Sequence, residues 1–177
     1  MQLQVMKMAI LKTGALILAL VALGACTDAG RFGAGSGDGS GAAGADGFAG
    51  SASDPTSPAF FTETVGDRVL FQVDQSNLTP EGEAVLIQQA QWLTQNGEYT
   101  ALVEGHADEQ GTREYNLALG ARRASTVQNY LISQGVAPGR LKTISYGKER
   151  PVEICSDEAC YSQNRRAVTV ITVGTGF

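Results

Sequence analysis

Between Thr27 and Pro58 the chain is built almost entirely from glycine, alanine, serine and aspartate, as in GAGSGDGSGAAGADG. Such a segment buries too little apolar surface to offset the conformational entropy of ordering it, so it is expected to stay disordered. Whatever folds must come from residues 60–177, a length that suits one domain around one core. As a flexible coil of about thirty residues, the glycine-rich segment spans roughly 30 Å on average and roughly 100 Å at full extension. Residues 26–59 therefore read as a tether.

The N-terminus suggests what the tether holds. Lys7 and Lys12 precede the apolar run TGALILALVAL. A positive flank with an apolar stretch of about eleven residues matches a secretory signal, and is too short to cross a bilayer as a helix. Residues 1–25 are accordingly expected to be removed. The stretch LGAC, Leu23 to Cys26, resembles the lipobox of bacterial lipoproteins, which implies cleavage before Cys26 and lipidation of its thiol. An ordinary signal whose cleavage site adjoins a cysteine is the plainer alternative. Thr27 in the second mature position, where aspartate would retain the protein at the inner membrane, implies an outer-membrane anchor facing the periplasm.

Three cysteines leave an odd thiol that an exported protein must account for, and Cys26 accounts for it. Cys155 and Cys160 remain, and an oxidising compartment lets them pair. The loop is so short that the bond stabilises by only about 2 kcal/mol, as a local staple. A two-thiolate zinc half-site is the alternative, but further cysteines are lacking and the single histidine is distant. The formal charge is −5, and loss of Lys7 and Lys12 takes it to −7. With no basic tail or basic stripe interleaved with aromatics, nucleic acid is not an expected partner.

Within the foldable part, strands and helices alternate. DRVLFQV reads as a strand, and LTPEGEAVLIQQAQWLTQNG as a helix with Thr79 as N-cap, Pro80 in the first position and a stop at Asn96-Gly97. Thr100 to Gly105 reads as a short apolar strand. A long helix from Arg113 to Gln134 ends at Gly135 and Pro138. KTISYG and RAVTVITV are further strand-like runs. The alternation predicts an α/β fold with right-handed crossovers, a sheet largely parallel at its centre with a final antiparallel strand, and two helices on one face.

At about 100° per residue, Leu117, Ala121, Ala124, Val127 and Leu131 fall on one stripe of the long helix, the natural face for the sheet. Thr112, Asn116, Leu119, Arg123 and Tyr130 form a second stripe at the margin of the core. Arg122 points to solvent. Arg123 lines up with the loop holding Asp108, where it can serve a ligand or simply pair with a core-edge carboxylate.

The stretch EGHADEQG contains the chain's single histidine among carboxylates. Glu104, His106 and Asp108 alternate as residues on one strand face do, so one reading is a divalent-metal site in a cell-wall hydrolase. The other is a binding pocket for a ligand carrying both signs of charge. Adjacent Asp108 and Glu109 do not establish the carboxylate separation a hydrolase needs, and neither a nucleophile elbow nor an HExxH motif is present.

The run HADEQGTREYNLALGARRASTV resembles the signature of the OmpA-like peptidoglycan-binding domain family, with Asp108, Gly111, Thr112, Tyr115, Asn116, Leu119, Arg123 and Ala124 in register. The resemblance extends through SYGKERP, QNRRAV and FQVDQSNLTPEG, covering essentially the whole foldable part; Gly120 departs from it, standing where serine is usual. It implies a four-stranded mixed sheet in βαβαββ order, an α+β sandwich with two main helices on one face, and no cofactor. Together with the lipobox it is most similar to the peptidoglycan-associated lipoprotein branch of the family, the lipoproteins of the Tol-Pal system, and implies TolB as a partner with TolA as a further candidate. By the same resemblance the ligand is the diaminopimelate of the peptidoglycan stem peptide, whose tip carries an ammonium and a carboxylate on one carbon. Asp108 then takes the ammonium and the Arg123 fork the carboxylate. Gly111 and Thr112 bring the start of the long helix to the same carboxylate, Asn116 can orient either group by hydrogen bonds, Leu119 walls the aliphatic stem, and the Asp74 loop closes the other side.

Overall fold

The computed structural model describes residues 50–174. The expected signal sequence, Cys26 and most of the expected tether lie outside the described residues. The folded part starts before Phe60. Ser57, 2 % exposed, caps the short helix α1 (Pro58–Phe60), and the Pro55 carbonyl accepts the indole N–H of Trp92 at 2.7 Å. Burying an indole requires an acceptor for its N–H, and that requirement recruits the last polar residues of the tether into the domain.

A π-helical turn, Phe61–Gly66, follows α1 and leads into β1 (Arg68–Leu70). Next come α2 (Pro80–Gln95), β2 (Tyr99–His106), α3 (Arg113–Ser133), a 3-10 turn at Pro138–Arg140 and β3 (Leu141–Gly147). The last elements among the described residues are α4 (Glu158–Asn164) and β4 (Arg166–Val173). Both long helices start on threonine caps: Thr79 Oγ1 accepts from the Gly82 N–H at 3.1 Å and Thr112 Oγ1 from the Tyr115 N–H at 3.2 Å.

The sheet order is β1-β4-β2-β3. Only β2 and β3 run parallel, and they form one edge; β4 lies between β1 and β2, antiparallel to both. The expectation of a parallel centre is thus corrected. The last strand enters the middle of the sheet, and its two antiparallel ladders supply most of the pairing.

Both long helices lie on one face of this mixed sheet. Ala101 and Val103 of β2, Val69, Ala167 and Leu141 meet Leu86, Ala90 and Leu93 of α2 and Ala124, Val127 and Leu131 of α3 in one apolar cluster. Fully burying a leucine such as Leu86, Leu93 or Leu131 contributes about 1.5–3 kcal/mol. Gln89, the buried polar residue among them, is satisfied on both sides: its amide N–H donates to the Gly66 carbonyl at 2.7 Å and its oxygen accepts from the Thr169 hydroxyl at 2.8 Å.

The face that α3 turns to the sheet differs from the expected stripe. Leu117 and Ala121 are exposed, while Asn116, Leu119, Gly120, Arg123, Ala124, Val127 and Leu131 are buried. A close approach of helix to strand sets this rotation. A Cβ on Gly105 would lie 1.8 Å from the Gly120 carbonyl oxygen, and one on Gly120 would lie 2.4 Å from Ser145 Oγ. Serine, usual at this place in the resembling family, would not fit at position 120 without a shift.

Candidate functional site

Three segments meet at the C-terminal end of β2. The loop after β2 carries Asp108, Gln110 and Gly111; the first turns of α3 carry Tyr115, Asn116 and Leu119; and the loop between β1 and α2 carries Val73 and Asp74. Together these residues line an open cavity of about 240 Å³. Gly111, at φ 90°, takes the left-handed conformation that turns the chain from the strand end into the helix cap. Asn116, 1 % exposed, ties this turn down by donating to the Gln110 carbonyl at 2.7 Å.

Asp74 also has positive φ, at 56°. For an aspartate this conformation is uncommon and needs support from its surroundings. The Tyr115 hydroxyl gives that support by donating to the Asp74 carboxylate across the mouth of the cavity. The same hydrogen bond raises the phenol's pKa above its ordinary value.

Asp108 is 8 % exposed and both its oxygens are held. Oδ1 accepts from the Gln110 N–H at 3.3 Å, and Oδ2 is 3.3 Å from Arg165 Nη1. Arg165 is the residue that reading of the sequence missed. It stands in the QNRRAV run, but nothing local in that run marks it as the partner of a carboxylate so distant in the chain.

Of the residues assigned to the site, Asp74, Asp108, Gly111, Asn116 and Leu119 line the cavity, and Thr112 caps the helix that borders it. Arg123 does not line it. The expectation of a free guanidinium fork at the margin of the core is corrected: Arg123 is 0 % exposed, and its N–H groups donate to the carbonyls of Gln75 at 2.8 Å, His106 at 2.7 Å and Gln72 at 3.2 Å. Its guanidinium also packs against the Phe71 ring, 5.2 Å from the centroid. Burial pushes its pKa down to about 10, an effect that Asp108 and Asp74 oppose, so it remains a cation at neutral pH. Three carbonyls from two segments converge there, and a planar fork meets them where an ammonium could not. Arg122 is exposed, as expected, with its guanidinium 6.0 Å from the Tyr115 ring centroid.

The metal reading finds no geometric support. His106 Nε2 lies 3.7 Å from Glu104 Oε2, but Asp108 is engaged with Arg165. Among the described residues, the one trio that gathers donor atoms is Cys155, Asp157 and Cys160, and its two sulfurs are joined in a disulfide with Cα atoms 5.9 Å apart. Burial, followed by the charges of Arg166, Arg150 and Arg68, pushes the His106 imidazole down to about 4, so it is neutral at pH 7. Its ring packs against Tyr146 at 5.6 Å between centroids.

Comparison with known proteins shows the family and agrees with the fold. Residues 70–165 match the family model described as the OmpA family. A peptidoglycan-associated lipoprotein of Mesorhizobium japonicum is 57% identical over 121 residues, covering 68% of this chain and 72% of that protein. One of Agrobacterium fabrum is 57% identical over 125 residues, covering 71% of this chain and 70% of its own. Among solved structures, the peptidoglycan-associated lipoprotein from Burkholderia pseudomallei superposes with a TM-score of 0.60 at 39% identity, over 67% of this chain and 97% of that one. The C-terminal domain of Helicobacter pylori MotB shares the fold alone, with a TM-score of 0.57 at 21% identity over 62% of this chain and 86% of its own.

Proposed function

The chain belongs to the OmpA family, and from that footing we propose that it is a lipoprotein that binds peptidoglycan noncovalently by gripping the zwitterionic tip of diaminopimelate in the stem peptide. The observation that carries this reading is the lining of the cavity, where two carboxylates, Asp74 and Asp108, stand opposite the first turns of α3 with Leu119 and Val73 supplying apolar surface. The ligand's ammonium goes to Asp108, with Asp74 across the mouth. Its carboxylate lies over the N–H groups of Arg113 and Glu114, which a helix leaves without carbonyl partners at its start and whose dipole favours an anion.

In this arrangement Arg123 acts from beneath. It joins the loop of Asp74 to the strand end that leads to Asp108, and it adds a positive charge below the bound carboxylate. Leu119 and Val73 border the aliphatic stem, and Asn116 keeps the Gln110–Gly111 turn in shape. The lining offers carboxylates and apolar surface, groups suited to holding a cationic ligand with an aliphatic stem.

Lipid on Cys26 would hold the chain at the outer membrane, facing the periplasm, and the tether would let the domain reach the wall, so that many weak contacts together link the two layers. The Tol-Pal role, with TolB and TolA as partners, follows from likeness to the peptidoglycan-associated lipoproteins.

Co-sedimentation with purified sacculi tests the site. Asp108→Asn is expected to lose retention, since removing one partner of a desolvated charge contact costs binding about 2–5 kcal/mol. Arg122→Ala is expected to sediment as the unaltered chain does. If Asp108→Asn also sediments like the unaltered chain, the cavity is not the wall-binding site.

A further inference from the structure

Arg165 touches Asp108 but does not line the cavity. It is the C-cap residue of α4 and is 4 % exposed. Its Nε donates to the Phe71 carbonyl at 3.3 Å. Its Nη1 is shared between Asp108 Oδ2 and Glu158 Oε2, each at 3.3 Å, and Nη2 donates to the other oxygen of Glu158. One guanidinium is therefore divided between two carboxylates, and the three groups together keep one negative charge.

Glu158 reaches this position by a different kind of constraint. Its side chain is 67% exposed, so packing does not fix it. It is the first residue of α4, directly after the N-cap Asp157, whose carboxylate accepts from the Cys160 N–H at 3.2 Å. The Cys155–Cys160 disulfide closes a ring around these residues. The covalent ring therefore fixes the helix start, which presents Glu158 to Arg165, which in turn holds Asp108.

We propose that Arg165 is the positioning residue for the Asp108 carboxylate, and that Glu158, fixed by the disulfide-closed start of α4, draws part of the guanidinium's charge away so that Asp108 stays open to a cationic ligand group. Without Glu158, a single guanidinium faces a single carboxylate and neutralises it, and an ammonium then has to compete with Arg165 for Asp108. The inference rests on the reading that Asp108 receives the ligand's ammonium. Glu158 is well placed to stay charged, because the hydrogen bond from Arg165 holds its carboxyl below the usual glutamate range.

The test is calorimetric titration of the full-length chain in detergent micelles with free meso-diaminopimelate. Glu158→Gln is expected to weaken binding about threefold or more without moving the melting temperature. Glu158→Asp should recover part of that loss. Replacing both Cys155 and Cys160 with serine should weaken binding to a similar degree, and combining this change with Glu158→Gln should add little. The side-chain carboxyl carbon resonance of Asp108 should shift in Glu158→Gln. If Glu158→Gln binds like the unaltered chain, or if the Asp108 resonance stays in place, the inference falls; the wall-binding reading then survives provided that Asp108→Asn still abolishes binding. Undiminished binding by Asp108→Asn overturns that reading itself.

Discussion

Arg123 Nη1 donates to the main-chain carbonyl of His106 at 2.7 Å, linking the buried face of α3 to the last residue of β2. Its other two bonds end on Gln72 and Gln75, on either side of Asp74. One side chain thus fixes the spacing between the loop of Asp74 and the strand end before Asp108. Arg123→Ala leaves three carbonyls without their donor and a void the size of an arginine, so the domain is expected to lose about 3–5 kcal/mol of stability. Arg123→Lys should recover little of this, because an ammonium cannot span three diverging acceptors. Urea denaturation measures the effect, and an Arg123→Ala midpoint equal to that of the unaltered chain would refute the stapling role.

His106 gives the domain a pH dependence whose sign can be worked out. In the folded chain its imidazole titrates at about 4, against an ordinary value of 6.5. Between those values the unfolded chain binds a proton that the folded chain refuses, so stability falls as pH drops. The contribution is complete above pH 6.5 and is lost progressively down to about 4, with a total of about 3 kcal/mol at most. Melting temperatures across this range should fall more steeply for the unaltered chain than for His106→Gln. Parallel curves would show that the histidine is not the titrating group.

Gly120 meets the sheet with no room for a side chain. A Cβ there would lie 2.4 Å from Ser145 Oγ and 2.8 Å from the Gly105 carbonyl oxygen. Gly120→Ala is expected to destabilise the domain by about 1–3 kcal/mol, even though alanine favours helix. Removing the hydroxyl in Gly120→Ala/Ser145→Ala should relieve part of the loss and leave the part due to the Gly105 backbone. A stabilised Gly120→Ala would mean that helix propensity, and not this contact, governs the position.

Local signals carried much of the fold. Thr79 with Pro80, and Thr112 before Arg113, mark the helix starts where the structure has them, because a cap acts through hydrogen bonds within a few residues. RAVTVITV is a strand over the residues expected, but its place between β1 and β2 depends on pairing with residues far away and leaves no trace in its own pattern. The seven-residue α4 is too short to show a period. The buried stripe of α3 is not the one its apolar pattern suggests, because Leu117 and Ala121 look like core and Asn116 and Arg123 do not; a bond to the nearby Gln110 carbonyl holds Asn116 in the interior, and bonds to carbonyls far along the chain hold Arg123 there. Of the cavity lining, Asp108, Gly111, Asn116 and Leu119 belong to one motif whose members lie within twelve consecutive positions, so their nearness could be read locally. That of Arg165 could not, since its ion pair joins segments 57 positions apart.

The central claim is that one opening reads both charges on the tip of the stem peptide. Titration of the full-length chain with two stem peptides, one carrying diaminopimelate and the other lysine in the third position, tests it most directly. Lysine keeps the amine and drops the carboxylate, so it retains the contact to Asp108 and loses those to the start of α3. The account predicts that the diaminopimelate peptide binds at least about tenfold more tightly, the loss of one charge-assisted contact. Equal affinity for the two peptides would contradict it.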